Sequence, residues 1–209
     1  MARYTGPACR LCRRVGQKLF LKGERCFTPR CAIERRRYGP GARPTARRRR
    51  LSDRGVQLQE KQKARFTYGI LERQFKRYFQ EAQKSRGATP DTLLQLLERR
   101  LDNVVYRLDF ARSRDQARQM VSHGIMTVDG KRASIPSYRV RPGQVIAFGE
   151  KSRGEAFVKE LAAGSPQRSV PPWLSREAEG LSGKVLRLPE AAELGKEIEA
   201  RLIVEYYSR

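Results

Sequence analysis

The 209-residue chain holds one histidine, His123, and four cysteines, none of them beyond residue 31. A lone histidine with no partnered serine or cysteine makes neither a Ser-His nor a Cys-His catalytic pair. There are no paired carboxylates in an apolar setting and no glycine-rich loop of the kind that cradles phosphate. Asp102 is the one acid that could be proposed as a general base. It sits at an arginine-rich helix start and is expected to pair with Arg99 or a lysine-type neighbour. Long apolar runs are missing too. A secretory signal needs about 7–15 apolar residues near the start, and a membrane helix roughly 18. MARYTGPACRLCRR offers nothing of the kind, and its early cysteines do not suit an organelle-import leader. The sequence therefore predicts a non-enzymatic, cytoplasmic protein whose thiols stay reduced. No internal repeat is visible.

Acidic residues are scarce, with 22 Asp and Glu against 45 Lys and Arg, for a net charge of +23. A compact chain of that charge repels itself, so a polyanion is the natural partner. The excess is uneven. Residues 1–50 carry sixteen basic residues and two acids, Glu24 and Glu34. The front quarter is a basic arm.

The cysteines are Cys9 and Cys12, then thirteen residues, then Cys26 and Cys31. Two close pairs with this separation match a four-thiolate tetrahedral site. Gly16 and Gly23 flank KLFL, which is expected to form a short hairpin carrying one pair to the other. Arg10, Arg13, Arg14 and Arg25 are expected to lower the thiol pKa values. An arm of about 45 residues with few apolar groups cannot build a core alone, so metal binding would supply its folding energy. One zinc ion is the default ligand. A 4Fe–4S cluster uses the same four thiolates and stays open as the alternative. The C-x2-C pair lacks the setting of a thioredoxin-like motif, and disulfides do not suit the compartment.

From Glu34 the chain reads ERRRYGPGARPTARRRR, a linker with almost nothing to bury and six arginines between Arg35 and Arg48, suited to phosphate contact. Helical signals follow. Ser52 and Asp53 are N-cap candidates next to Leu51, Val56 and Leu58. Leu71, Phe75, Tyr78, Phe79 and Ala82 recur at helical spacing, with Arg73, Lys76, Arg77 and Lys84 opposite and Gly87 as the stop. Thr89-Pro90-Asp91 starts another helix, in which Leu93, Leu97, Leu101, Val104 and Leu108 form one buried face. Ser113 with Gln116 gives a capping-box pattern, Ala117, Met120 and Val121 face inward, and Gly124 is the stop. Ile125 and Val128 lead to the hairpin pair Asp129-Gly130. Residues 137–140 and 145–148 complete a small antiparallel sheet. Residues 150–170 read as a polar helix, PPWLSR as loop, and GKVLRLP as a short strand. Near the end, Ile198, Leu202, Ile203 and Tyr206 favour a helix over the strand that Leu202, Val204 and Tyr206 would suit.

The stretch RRLDNVVYRLDFARSRDQARQMVSHGIMTVDGKRASIPSYRVRPGQVI closely resembles the small RNA-binding module named after the fourth protein of the small ribosomal subunit. MARYTGPACRLCRR, KQKARFTYGILERQF and the closing EYYSR resemble the flanks of that ribosomal protein. The likeness covers nearly the whole chain, and the cysteines resemble the metal-containing bacterial branch of this universal S-four family. The resemblance implies an α+β fold in four parts. These are a metal-stapled arm (1–45), a helical rRNA-binding domain (46–98, completed by 190–209), an inserted module of two helices and a short antiparallel sheet (99–160), and an irregular extension (161–189).

The resemblance also implies function. Such a protein is a structural component of the small subunit. It binds the 5′ region of 16S rRNA where several helices join and nucleates assembly there. It lies beside two neighbouring small-subunit proteins near the mRNA entry and affects decoding accuracy, and some members repress translation of their own messenger. No membrane or DNA partner is implied. The implied rRNA-binding side chains in the arm are Arg3, Arg10, Arg13, Arg14, Arg35 and Arg36, then Arg47, Arg48, Arg49 and Arg50. The helical domain would add Lys61, Lys63, Arg65, Arg73 and Lys76.

Within the module, an RNA duplex is gripped by its shape, phosphates and 2′-hydroxyls rather than through its deep major groove. The helix over 113–122 would present Ser113, Arg114 and Arg118 beside its N-terminal N–H groups. The hairpin would bring Lys131 and Arg132 to the same side. His123 is either an RNA contact or a polar helix end. Asp109 stands where this family often has glycine, and Asp115 where a basic residue is common. Three other functions compete. An RNA-modifying enzyme would need a catalytic domain with a folded pocket. A metal-finger DNA regulator would need a recognition helix between the cysteine pairs, where KLFL stands instead. A general RNA chaperone would bind all RNAs alike, with a steep salt dependence.

Overall fold

The computed structural model describes residues 3–41, 50–154, 156–163, 168–177, 181–194 and 197–208. Its internal contacts divide the chain into two units, Met1–Leu94 with Gly195–Arg209, and Gln95–Leu194. The basic arm is not a third unit.

In the first unit, α1 (Ala8–Val15) is closed by Gly16, which takes the left-handed conformation and donates its N–H to the Cys12 carbonyl. That is the usual glycine stop. The hairpin expected across KLFL is absent. The chain instead turns through Phe20, held at φ 51°, and Gly23, at φ 58°, into a 3-10 turn at Gly23–Cys26 and then α2 (Ala32–Arg35). Leu19 faces the interior with Cys12 and Val15, and Phe66 packs onto that cluster. A strand would have pointed alternate residues out, whereas burying Leu19 beside the end of α1 needs a loop.

Ser52 caps α3 (Asp53–Thr67), its Oγ accepting the Gly55 N–H at 3.3 Å. The buried face of α3 is polar: Gln57, Lys61 and Lys63 sit inside, while Leu51, Val56 and Leu58 stay 53, 39 and 38% exposed. The C-terminal helix (Ala200–Tyr207) accounts for the inversion. Gln57 Nε2 donates to Glu205 at 2.9 Å, and the Glu199 N–H donates to Glu60 at 3.3 Å. α4 (Glu72–Lys84) buries Phe75, Tyr78, Phe79 and Ala82 as its spacing predicted, and Tyr207 stacks on Phe79 with 4.6 Å between ring centres. The helix expected near the C-terminus is present.

Tyr207 also donates its hydroxyl proton to Glu72 at 2.7 Å, beside the Lys61 ammonium at 2.8 Å. Burial works to raise the Glu72 pKa, but the bonds from Lys61 and Tyr207 outweigh it, and the pKa falls below its usual 4.5. A carboxylate with a lowered folded pKa stabilises the fold above its unfolded value and loses that contribution as pH falls through the folded one. Tyr207→Phe is therefore expected to destabilise the first unit by about 1 kcal/mol at neutral pH, discounted for the partial exposure of Glu72. The gap between the two proteins should close as the pH falls below the usual carboxylate range and acid protonates Glu72. Hydrogen exchange of α3 amides at both pH values checks this, and a gap independent of pH would refute it.

α5 (Thr89–Glu98) begins at the expected Thr-Pro-Asp, but the long helix predicted through Leu108 is broken. Arg100 is extended, with φ −67° and ψ 136°, and caps α6 (Leu101–Arg107). A passing segment causes the break. The Leu101 N–H donates to the Tyr138 carbonyl at 2.8 Å, and the Val140 N–H to the Arg99 carbonyl at 2.9 Å. Residues 137–140, expected in the sheet, make this single antiparallel bridge with Arg100 instead. Leu93, Leu97, Leu101, Val104 and Leu108 are all fully buried despite the interruption.

α7 (Arg114–Ser122) follows, then β1 (Met126–Val128) and β2 (Lys131–Arg132). Asp129 and Gly130, at φ 50° and 77°, form the turn between them. Positive φ at both positions is what the Asp-Gly pair allows. β3 (Val145–Phe148) precedes α8 (Glu150–Arg153) and α9 (Ala156–Ala163). PPWLSR, expected as loop, supplies β4 (Leu174–Arg176), and the short strand expected in GKVLRLP appears as β5 (Ser182–Val185). Among the described residues the sheet has five strands in the order β2-β1-β3-β5-β4, with every neighbouring pair antiparallel. A side chain at Gly183 would meet Leu108 at 2.7 Å and the Ser175 carbonyl at 2.9 Å, so only glycine lets β5 close on the end of α6. The core gathers Val104, Phe110, Val121, Ile146 and Phe148 around Trp173, which is 1% exposed.

Candidate nucleic-acid interface and thiol cluster

At the N-terminus of α7, Ser113 Oγ accepts the Gln116 N–H at 3.2 Å. The returning half of the expected capping box is displaced by one residue, since Gln116 Oε1 takes the Arg112 N–H at 2.8 Å. Asp115 is exposed in the first turn, where an acid suits the helix dipole. Arg114 is half-buried. Its Nε donates to Asn103 Oδ1 at 2.9 Å, and its guanidinium lies 4.3 Å from the Tyr106 ring centre. Arg118, expected to face RNA, is inside the protein and donates to Asp102 at 3.3 Å. Asp102 also holds Arg100 at 2.7 and 3.0 Å. Arg100 and Arg118 are thus partners of Asp102.

Lys131 and Arg132 are exposed on the hairpin, as expected. Arg132 donates to the His123 carbonyl at 3.0 Å and lies over Gly124, where a Cβ would stand 2.0 Å from its Nε. The hairpin cations therefore flank the C-terminal end of α7, not the Ser113 end. The nine residues of α7 separate the two ends by roughly 13 Å. His123 is exposed at the former end.

Asp109 has φ 59°, the conformation in which glycine is at ease and aspartate is tolerated. Its carboxylate has a task a glycine could not perform. Arg168 donates to Oδ1 through two nitrogens at 3.0 and 2.6 Å, and Arg176 stands 3.7 Å from Oδ2. Arg168 also lies 4.0 Å from the Tyr106 ring centre. Sequence reasoning missed this clamp because its members are some sixty residues apart and share no periodicity.

In the first unit, Arg3, Arg10, Arg14, Arg35, Arg36, Arg50, Arg73 and Lys76 are exposed. Arg13 is half-buried, 5.6 Å from the Tyr38 ring centre. Lys61 and Lys63, 4 and 5% exposed, pair with Glu72 and Glu60 and are structural rather than available to RNA. Arg65 is half-buried, 3.7 Å from Glu72. Arg47, Arg48 and Arg49 lie outside the described residues.

All four cysteines are unpaired thiols; Cys12, Cys26 and Cys31 are buried and Cys9 is half-buried. Cys9 and Cys12 share α1 one turn apart. Burial raises the Cys12 pKa, the other three thiols add to the rise, and the Leu19 N–H opposes it. Burial likewise raises the Cys26 pKa, against the Lys22 N–H that donates to its sulfur at 3.4 Å. At Cys12 and Cys26 the expected lowering by arginine is overturned: Arg10, Arg14 and Arg25 are exposed, and desolvation wins. Among the described residues, no group of three or more Cys, His, Asp or Glu side chains stands in metal-holding geometry.

Exposed cations on the hairpin and along the arm, in a chain of net charge +23, mark the class of protein suited to a polyanionic partner. Residues 3–98 match the family described as ribosomal protein S4/S9 N-terminal domain, and residues 99–146 match the S4 domain. Three curated proteins named small ribosomal subunit protein uS4 align over the full length of both chains. They come from Thermus thermophilus at 56% identity, Natranaerobius thermophilus at 54% and Thermodesulfovibrio yellowstonii at 53%. The chain belongs to the uS4 family of small-subunit ribosomal proteins.

Proposed function

We propose that this chain is a non-enzymatic structural component of the small ribosomal subunit that binds its 16S rRNA in the cytoplasm. The full-length match to proteins named uS4 carries this reading. The exposed cations support it, and no helix among the described residues is long and apolar enough to cross a membrane. The finer reading is that the chain binds the 5′ region of the rRNA first and nucleates assembly there. It would lie beside neighbouring small-subunit proteins near the mRNA path and contribute to decoding accuracy.

Filter binding of the full chain to a transcript of the rRNA 5′ domain tests the reading. Affinity should fall linearly on a log–log salt plot, by about 0.7–0.9 per phosphate contact. It should also fall sharply on a transcript lacking the helix junction. Lys131→Ala and Lys76→Ala, both at exposed cations, are each expected to lower the slope by about one. Equal affinity for any RNA would point to a general chaperone instead.

The same proposal includes one zinc ion on Cys9, Cys12, Cys26 and Cys31, with a 4Fe–4S cluster as the alternative. Four thiols in two close pairs are the donor chemistry such a group takes. Three sulfurs are buried, two accept backbone N–H bonds, and the thiols repel one another's charge. A bound cation would relieve that repulsion and hold α1 to the Cys26–Cys31 turn. Zinc, iron and acid-labile sulfide measured per chain on anaerobically purified protein decide between them. Four titratable thiols without metal would reject both.

A further inference from the structure

Phe27 is 66% exposed, the most of any large apolar side chain among the described residues. It follows the buried Cys26 at the end of the 3-10 turn, where its N–H donates to the Glu24 carbonyl at 2.9 Å. Phe20 lies against its ring, with 5.0 Å between centres and 26° between planes, a stacked pair. At 66% exposure, the face of Phe27 away from Phe20 is turned largely to water. Phe20 itself stands at φ 51°, a left-handed conformation that strains a bulky side chain and suits glycine. Core packing does not account for the strain. Among the described residues, the cluster of Cys12, Val15 and Leu19 takes Leu21, Ile33 and Phe66 as neighbours, not Phe20. Glycine would make the same turn, so what phenylalanine adds there is a ring under Phe27. Cations lie close by in the chain. Lys18 is paired with Glu34, whereas Lys22, Arg25 and Arg30 are exposed, within five residues of Phe27, and in no ion pair among the described residues.

We propose that the open face of Phe27 stacks one unpaired base of the bound RNA, a contact that rests on the rRNA-binding reading and adds a base to its phosphate contacts. Two features select this occupant. The first is shape: an open aromatic ring, already backed by a second ring, is a platform for a flat guest, and every base has a π-face to offer it. Single-stranded loops and bulges of RNA present such bases unstacked. The second is charge. Three cations without acidic partners beside the ring draw a guest that carries its own phosphate chain. An apolar surface of a neighbouring protein would cover the ring and leave those cations unanswered.

The test uses the full chain with a transcript of the rRNA 5′ domain, by Kd measurement across a salt series and by ultraviolet crosslinking with peptide mass spectrometry. Phe27→Ala removes a side chain that is mostly in water, so Tm should hold while affinity falls about tenfold. The log–log salt slope should stay at the wild-type value, because the ring meets no phosphate. Phe27→Leu is apolar but not flat and should bind no better than Phe27→Ala. Phe27→Trp should bind more tightly than either. Wild type is expected to give a nucleotide crosslinked within residues 26–30. Phe27→Ala or Phe27→Leu binding as tightly as wild type overturns the stack. So does a salt slope lowered in Phe27→Ala, which would mean that the ring only holds the arm's cations in place. Wild-type binding without the crosslink overturns it too, as does a crosslink from Phe27 to a neighbouring protein in assembled subunits. Failure of wild type to bind the transcript at all overturns the rRNA reading, and the stack with it.

Discussion

Asp102→Asn is expected to destabilise the second unit by about 3–5 kcal/mol, the cost of stripping the partner from buried charges. Asp102 is 4% exposed and Arg100 is fully buried beside it. Its two oxygens take Arg100 at 3.0 and 2.7 Å, Arg118 at 3.3 Å and the Asn103 N–H at 2.9 Å. Asparagine keeps the shape but brings an N–H2 group up to two guanidiniums and removes the negative charge that both hold. Trp173 is the only tryptophan in the chain and lies in the second unit's core, so its fluorescence in a urea titration follows that unit alone. A loss under about 1 kcal/mol would mean that the guanidiniums find other partners or water. Arg100 belongs both to this cluster and to the backbone bridge with Arg139, so amide exchange at Leu101 and Val140 should accelerate with the loss.

Trp173→Ala is expected to have a comparable effect, about 3–5 kcal/mol, through the cavity it leaves. The side chain is 1% exposed, and the Trp173 carbonyl accepts the Leu186 N–H at 3.0 Å. The loss should be local. Far-UV circular dichroism in urea would show the earlier transition. Hydrogen exchange should accelerate at Val185 and Leu186 and stay unchanged in α3 and α4. Uniform acceleration in both units would refute a core role confined to the second.

Much of the local structure was legible because it is written in neighbouring residues. Ser52, Ser113 and Gly124 mark helix ends by their own chemistry, and Asp129-Gly130 turns the chain through φ values few other pairs accept. What could not be read depends on distant partners. Arg100 is helix-forming by type and becomes extended because residues 138–140 pass beside it. β4 lies in PPWLSR, which reads as loop because its three residues are too few for a period, whereas β5 overlaps the short strand expected in GKVLRLP. Lys61, Lys63 and Arg118 look like surface cations in sequence, and their acids, Glu72, Glu60 and Asp102, turn them inward. The cysteines were legible as a set. Their acidity was not, because it depends on burial, which the arginine-rich text around them does not reveal.

The C-terminal helix that lies along α3 also sets a schedule. Gln57, Glu60 and Glu72 all wait for partners numbered 199 or above, whereas the second unit is one unbroken stretch, Gln95–Leu194. Synthesis delivers domains in chain order at about 5–20 residues per second. The middle of this protein can therefore finish folding while its beginning is still incomplete, and the N-terminal unit closes only when Glu199, Glu205 and Tyr207 have emerged.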